Sequence, residues 1–297
     1  MLIALDCDRT MWNHPDATRL SPPLRRISGE EIIDSKGEHV KLNEGVVRFL
    51  RYVKLKGHKT AVISWNEPQN VLTILKLLDL NQYFDEIIVE PHPNKALMLE
   101  KVLNRLKIKP EEVIFIDDNP RMIEIVRRRF PEVICIHYGR DIANFNEAIE
   151  KLLKKLGEPL KAYVALPIVH ADNLEFNKEY VNIVENCGLV VLSKWVSGET
   201  YGTILSPKEV FKRDLGMVVK ADLLIADVTK PSHGVGMEIM YAYVNNKKII
   251  ATYHRGSKLS ALIRGMPGIY LVEYSDLKEL EERLWRKIYE IFIGLVI

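Results

Sequence analysis

The stretch Leu2-Ile3-Ala4-Leu5-Asp6-Cys7-Asp8-Arg9-Thr10 decides the fold of the first half of the chain. Four apolar residues run directly into two aspartates, which is typical of a buried strand that ends at a polar sheet edge. In open α/β sheets, ligands bind outside the carboxyl ends of the strands. Because Asp6 and Asp8 are two residues apart, both can present their carboxylates to one side before the chain turns. The sequence therefore predicts a functional site at the end of the first strand.

Apolar runs alternate with helical periodicities along the whole chain, which predicts α/β folding with parallel strands. The segment Trp12–Val40 fits neither period, is polar and holds Pro15, Pro22 and Pro23, so we expect a flap or short hairpin over the strand ends. The strands expected in the first half are Leu2–Leu5, Thr60–Ser64, Glu86–Val89, Val113–Ile116 and Val133–His137, and the helices are Gly45–Lys56, Pro68–Leu78, Lys95–Leu106 and Arg121–Arg129.

A domain boundary is expected after the helical pattern Asn146–Leu156, because Gly157 and Pro159 follow it as stop signals. We therefore predict two Rossmann-like parallel-sheet α/β domains in tandem, residues 1–157 and 162–297. The elements expected in the second are strands Ala162–Leu166, Leu189–Leu192, Asp222–Asp227 and Lys248–Tyr253, and helices Glu175–Asn186, Val235–Val244 and Leu277–Phe292.

Composition excludes several classes of protein. A length of 297 residues is typical of two domains, and a net charge of +2 gives no electrostatic case for binding a nucleic-acid polymer. The three scattered cysteines favour a reducing compartment, and with no signal peptide at the N-terminus we expect a cytoplasmic protein. No apolar stretch reaches 18 residues, so no membrane span is predicted.

Three further segments at predicted strand ends or helix starts complete the first candidate site. Asp117 and Asp118 follow an apolar strand and supply hard oxygen ligands suited to Mg²⁺. Lys95 opens a helix and can contact both a phosphate and Asp6, and the Ser64 hydroxyl can donate to a phosphate oxygen. Together they allow Asp6 to attack phosphorus and form an aspartyl-phosphate that water hydrolyses. A receiver domain would also phosphorylate an aspartate with Mg²⁺, but its acceptor lies in the middle of the domain.

Residues 1 to about 155 resemble the haloacid dehalogenase superfamily in the order and spacing of four motifs, and are most similar to its small magnesium-dependent phosphatases with a minimal cap. The resemblance implies that Asp6 is the nucleophile and a metal ligand. It implies that Asp8 is the general acid/base and binds the metal through its carbonyl. Further implied roles are phosphate binding by Thr10, Ser64 and Lys95, and metal binding by Asp118 together with Asp117. Trp65 stands where the family has arginine, which affects the substrate contact there.

The second candidate site lies in the stretch ADLLIADVTKPSHGVGMEI at 221–239. A strand leads into a loop of small residues and then a helix, whose first N–H groups can bind an anion. Ser232, Gly234 and Gly236 would let a phosphate approach the backbone, and Glu238 lies one helical turn further on. Glu238 and Asp214 are two carboxylates that can flank a glycosidic bond. Taken singly, each feature is better explained in another way: the loop by a glycine turn, Glu238 by capping or solvating its helix, and Asp214 by a pair with Lys212.

Residues from about Ala162 to Tyr274 resemble the nucleoside 2-deoxyribosyltransferase superfamily, and are most similar to its 2'-deoxynucleoside 5'-phosphate N-hydrolases. The motifs are RDLG at 213–216, the stretch at 221–239 and LSALIRG at 259–265. The resemblance implies that Glu238 is the nucleophile of a deoxyribosyl-enzyme ester and Asp214 the supporting acid. The implied binding residues are Ser232 and Gly234 for the 5'-phosphate, Ser260 for the phosphate of a neighbouring subunit in a homodimer, and Tyr163 and Ile168 for base and sugar.

The leading hypothesis is a bifunctional hydrolase that acts on phosphate esters and deoxynucleotides. This sequence departs from the family at Val169, Trp195 and Met240, where arginine, histidine and glycine are expected. These departures motivate a second hypothesis, in which the C-terminal half only binds nucleotides or dimerises. A third makes it a transferase that moves deoxyribose between bases.

Overall fold

The computed structural model describes residues 1–168, 174–198 and 205–294. The chain divides into two compact units, Met1–Glu158 and Pro159–Ile297, each with its own five-stranded parallel sheet. Val169, one of the positions at which the sequence departs from the pattern of the N-hydrolase family, lies outside the described residues. Two parallel-sheet α/β units confirm the predicted fold class.

The sheet of the first unit has the strand order β6-β5-β1-β7-β8, so the first strand lies at its centre. All four residues of that strand are fully buried. The strands and α-helices of the first unit in chain order are β1 (Leu2–Leu5), β2 (Arg25–Arg26), β3 (Glu31–Ile33), β4 (His39–Lys41), α1 (Val46–Leu55), β5 (Lys59–Trp65), α2 (Pro68–Leu77), β6 (Glu86–Glu90), α3 (Lys95–Leu106), β7 (Val113–Asp117), α4 (Pro120–Arg129), β8 (Ile134–His137) and α5 (Phe145–Leu156).

The segment between β1 and α1 differs from the expected short hairpin. It forms a three-stranded antiparallel sheet, β2-β3-β4, preceded by one 3₁₀ turn at Ala17–Arg19. The amphipathic strands explain the difference, because Ile32 and Val40 are buried while their neighbours along the strands are more exposed. We call residues 12–42 the flap.

The sheet of the second unit has the order β10-β9-β11-β12-β13 and is also entirely parallel. The sequence indicated neither α7 nor β13, and strand β10 is shorter than expected. The elements are β9 (Lys161–Ala165), α6 (Leu174–Asn186), β10 (Val190–Val191), α7 (Pro207–Lys220), β11 (Leu223–Asp227), α8 (His233–Val244), β12 (Lys248–His254), α9 (Ala261–Arg264), β13 (Ile269–Tyr274) and α10 (Leu277–Ile293).

Helix caps explain where several elements begin and end. The Asn94 side chain accepts a hydrogen bond from the backbone N–H of Leu97 and thereby starts α3 with Lys95 as its first residue. Gly157 has a φ of 86° where α5 stops, a conformation that favours glycine. Across the described residues, no helix is both long and apolar enough to cross a membrane.

Candidate active sites

The first candidate site lies at the carboxyl edge of the first sheet. Asp6 directly follows β1, and Asp117 ends the adjacent strand β7, so parallel pairing brings their carboxylates together. Asp118 follows Asp117, and one carboxylate oxygen from each of these three residues lies within 4.8 Å of the others. Lys95 belongs to the same cluster although it is 89 residues from Asp6 in the sequence.

Lys95 is buried, with 2% of its surface exposed, and holds the cluster together. Its Nζ donates to Asp6 Oδ1 and to the carbonyl of Ile63 at 2.5 Å, and lies 3.4 Å from Asp117 Oδ2. Burial alone would lower the pKa of this amine, but the charges of Asp6 and Asp117 outweigh burial and raise it. The ammonium is therefore fully charged at neutral pH.

The cluster fits a divalent cation. Three carboxylates face the Lys95 ammonium, with Arg9 also acting electrostatically on Asp118, so negative charge is in excess at this sheet edge. Burial, with the charge of Asp6 adding to it, raises the pKa of both Asp117 and Asp118. Asp117 Oδ2 is buried and accepts no hydrogen bond from the described residues. Such a group of buried carboxylate oxygens is the donor set that Mg²⁺ prefers.

Asp8 lies beside this cluster but is bound to the flap. Its Oδ1 accepts from Trp12 Nε1 at 2.7 Å, and its Oδ2 accepts from the backbone N–H of Ala17 at 3.1 Å and from Asn66 Nδ2 at 2.5 Å. Burial raises the pKa of Asp8. The carboxyl group is thus held in one orientation, at the wall of a cleft of about 610 Å³ that Asp6 and Lys95 also line.

The remaining predicted residues of this site are buried behind the cleft. Thr10 Oγ1 accepts from the backbone N–H of Asp118 at 3.0 Å and fixes the loop after β7. Ser64 is buried and its hydroxyl contacts the Cys7 thiol. Its neighbour Trp65, by contrast, is 49% exposed and lines the cleft. The role of Asn66 was not predicted, although a polar residue just after a strand end is a signal that could have indicated it.

We expect Mg²⁺ to stabilise the first unit. A cation that binds only the folded state adds about 2.7 kcal/mol at a hundred times its dissociation constant, which raises the unfolding midpoint by roughly 5–10 °C. Asp118→Asn removes one charged ligand and should lose most of this shift. The control is Asp79→Asn, an exposed aspartate with a φ of 55° that asparagine tolerates. Calorimetry in a MgCl₂ titration measures the effect, and an equal shift in both variants contradicts the assigned site.

The second candidate site is centred on Glu238, on the first turns of α8. Tyr163 is a buried residue of strand β9, in the sheet of the second unit. Its hydroxyl donates to Glu238 Oε1 at 2.5 Å. Burial raises the pKa of Glu238 to about 7, with the charge of Asp214 adding to this effect. The Tyr163 hydrogen bond and the positive charge of Arg213 act in the opposite direction and favour the carboxylate.

Asp214 lies on α7 and pairs with Arg213, not with Lys212. Arg213 Nε donates to Asp214 Oδ1 at 2.7 Å, and the Arg213 guanidinium lies 4.0 Å above the ring of Trp195. Trp195 in turn contacts Tyr163 edge to face, with ring centroids 6.3 Å apart. Arg213 was not predicted as a site residue, although it opens the RDLG motif. These contacts gather two carboxylates, a phenol, an indole and a guanidinium.

Most of the residues predicted to bind phosphate line a groove of the second unit. Ser232 caps α8 by accepting from the backbone N–H of Val235 at 3.4 Å, and Ser260 caps α9 in the same way through Leu262. Both serines and Gly236 line a mainly apolar groove of about 880 Å³, and Glu238 is not among the described residues that line it. Gly234 is exposed one turn ahead of Glu238, and Ile168 is exposed just before residues 169–173.

Comparison with known proteins gives matches for both units. A family model for haloacid dehalogenase-like hydrolases matches residues 9–129. Human magnesium-dependent phosphatase 1 is 26% identical over 54% of this chain and 92% of its own length. A Thermofilum pendens protein named as a candidate 2'-deoxynucleoside 5'-phosphate N-hydrolase 1 is 37% identical over 42% of this chain and 92% of its own length.

Among solved structures, the CMP N-glycosidase BcmB of Clostridium botulinum matches with a TM-score of 0.35 and 23% identity, over 42% of this chain and 96% of that one. The relatives confirm both resemblances inferred from the sequence and make the chain a hydrolase. The chain therefore belongs to the 2'-deoxynucleoside 5'-phosphate N-hydrolase family and carries, at residues 9–129, a haloacid dehalogenase-like hydrolase domain.

Proposed function

We propose that the first unit hydrolyses phosphate monoesters with Mg²⁺, and that the second releases the base from 2'-deoxynucleoside 5'-monophosphates, as a cytoplasmic homodimer. The convergence of Asp6, Lys95, Asp117 and Asp118 at one sheet edge carries the first assignment. The Tyr163–Glu238 hydrogen bond carries the second. Both are supported by the names of the relatives, a magnesium-dependent phosphatase and an N-hydrolase.

In the first unit, Asp6 is the nucleophile. Lys95 occupies one of its oxygens, and the other accepts no hydrogen bond from the described part of the chain, so a lone pair is available. Asp6 attacks phosphorus, the ester oxygen leaves with a proton from Asp8, and an aspartyl-phosphate forms. Asp8 then takes a proton from water, which attacks the phosphorus and releases inorganic phosphate. Asp6 is thereby regenerated.

The cation held by Asp6, Asp117 and Asp118, with the carbonyl of Asp8, would neutralise charge on the transferring phosphoryl group. Lys95 adds a fixed positive charge at the same place, and the buried Thr10 fixes the loop that carries Asp118. Asp8 is oriented by Trp12, Ala17 and Asn66, so its proton is delivered from one side of the cleft.

In the second unit, Glu238 attacks C1' of the deoxyribose and forms an ester. The C1'–N bond breaks, and its electron pair leaves with the base, which takes up a proton. Asp214 manages proton transfer as water hydrolyses the ester and frees Glu238. Ser232, Gly234 and Gly236 hold the 5'-phosphate at the N-terminus of α8, with Ser260 acting across a dimer interface. Tyr163 and Ile168 line the sugar and base pocket.

The base-release rate should rise with pH through about 7. Only ionised Glu238 can attack carbon, and burial raises its pKa to about 7, so the active fraction grows as pH increases. Tyr163→Phe removes a hydrogen bond worth about 1 kcal/mol to the carboxylate. We therefore expect the inflection to move upward by roughly one pH unit. The kcat profile from pH 5 to 9 measures it.

The control for this titration is Tyr253→Phe, since Tyr253 lies on β12 and makes no hydrogen bond through its hydroxyl among the described residues. A profile that is flat between pH 5 and 8 in the wild type would contradict the assignment of Glu238 as the titrating nucleophile.

A panel of phosphomonoesters and deoxynucleotides, assayed with and without Mg²⁺, tests the whole proposal. Phosphate release is expected to need the cation, and chromatographic release of free base is expected to proceed in EDTA. Base release without any phosphate release, or the reverse, would remove one of the two assignments. Adding a free acceptor base separates hydrolysis from transfer.

A further inference from the structure

Arg213 has donors that the chain itself does not use. Its Nε is committed to Asp214, but the terminal amino groups of the guanidinium donate to none of the described residues. The side chain is 28% exposed, so these groups are reachable from solvent. Its plane is held 4.0 Å above Trp195, which restricts the side chain to one orientation.

Trp195 adds a second unused donor at the same place. Its Nε1 is buried and has no hydrogen-bond partner in the described ranges. Its ring contacts Tyr163, whose hydroxyl binds Glu238, so the Arg213–Trp195 stack lies next to the proposed nucleophile. The positive charge of Arg213 acts electrostatically on both Tyr163 and Glu238. This donor-rich stack is therefore linked through Tyr163 to the carboxylate that would attack the anomeric carbon.

Resting on the proposed function of this unit, we propose that Arg213, held by Trp195, binds the carbonyl oxygen next to the glycosidic nitrogen of a pyrimidine and stabilises the departing base as an anion. Glu238 forms the bond to C1' while the C1'–N1 bond breaks, and the electron pair passes to N1 and spreads onto O2. The guanidinium binds O2 through a charge-assisted hydrogen bond, and a proton from water finally neutralises the base.

Arginine suits this role better than an acid. It stays protonated at every working pH, so it supplies charge without losing a proton. Its interaction strengthens as negative charge grows on O2, so it favours the transition state over the bound substrate. The carboxylate of Asp214 fixes the guanidinium through Nε and accepts no hydrogen bond from its terminal amino groups. Leaving-group binding therefore explains why the guanidinium is stacked on Trp195, at a position where the family pattern has histidine.

The test compares two substrates that differ only in the leaving base. The 5'-monophosphates of 2'-deoxyuridine and 5-fluoro-2'-deoxyuridine share the sugar and phosphate, but fluorine makes the base a more stable anion. Arg213→Gln should lower kcat/KM for the uracil substrate by about 100-fold, as for loss of one oxyanion donor. The loss for the fluorouracil substrate should be several-fold smaller, because that base needs less stabilisation.

Arg213→Lys keeps the charge and should recover part of the lost rate. The matched control is Lys212→Gln, which removes a positive charge from the adjacent exposed position of α7 and should leave both substrates unchanged. Equal losses for both bases, or no loss, would overturn the role of Arg213 alone. A wild-type chain that releases no base from either nucleotide would overturn the N-hydrolase assignment as well.

Discussion

Replacing Asp6 by asparagine is expected to lower phosphate release by on the order of 10⁴-fold, the scale seen when a covalent nucleophile is removed. The amide cannot form the aspartyl-phosphate, and it is also a poorer ligand for a cation. The fold should survive, because Lys95 keeps its contacts with Asp117 and the carbonyl of Ile63. Removing one of three crowded carboxylates also relieves repulsion in the cluster.

Base release by the same variant is expected to stay at the wild-type rate, since Glu238 belongs to a separate compact unit. Phosphate release is measured from a chromogenic phosphomonoester and base release by chromatography, on the same protein preparation. Asp79→Asn serves as the isosteric surface control. If Asp6→Asn abolished both activities in a protein with an unchanged melting profile, the assignment of two independent sites would be wrong.

Replacing Glu238 by glutamine is expected to have the opposite effect on the two activities. Base release should fall by on the order of 10⁴-fold, and phosphate release should be unchanged. Glutamine keeps the volume of the side chain and can still accept from Tyr163, so the loss reports the missing negative charge on the attacking oxygen. Glu238→Ala should be equally inactive. Because alanine also removes the side-chain volume, equal inactivity of the two variants assigns the loss to the missing charge and not to packing.

The control for this pair is Glu282→Gln, an exposed glutamate of α10. Mass spectrometry of wild-type protein quenched during turnover offers an independent measurement, because an ester on Glu238 adds the mass of the deoxyribosyl 5-phosphate. Base release by Glu238→Gln within tenfold of the wild-type rate would mean that another group attacks the anomeric carbon.

Two elements that the sequence analysis did not predict are α7 and β13. In α7 the apolar residues Phe211, Leu215 and Val218 are spaced at the helical period, although Val218 is the only buried residue of this helix. Its start could still have been read, because Ser206 and Glu209 form a capping box ahead of the first turn. Strand β13 lies at the sheet edge, and only Val272 and Tyr274 are buried.

Some contacts of the candidate sites could be predicted from the sequence, and others could not. That Asp6 and Asp117 lie close together follows from parallel strands ending at one edge, which a sequence reveals through buried strands followed by acidic residues. The partner of Asp214 could not be predicted in this way. Arg213 reaches it through side-chain orientation, which depends on the packing around α7. The hydrophobic pattern of the sequence predicts backbone topology, whereas such side-chain contacts depend on tertiary packing.

Helix α8 fixes the spacing between two residues of the proposed N-hydrolase site. Ser232 caps the helix and Glu238 follows within it, so under the proposed roles a single rigid element separates the phosphate anchor from the attacking oxygen. At 1.5 Å per residue this separation is about 9 Å along the axis. A nucleotide phosphorylated on its 3' oxygen, or lengthened by a second phosphate, would place its anomeric carbon out of register with Glu238. Under the proposed roles, the helix would therefore select 5'-monophosphates by the distance between its cap and Glu238.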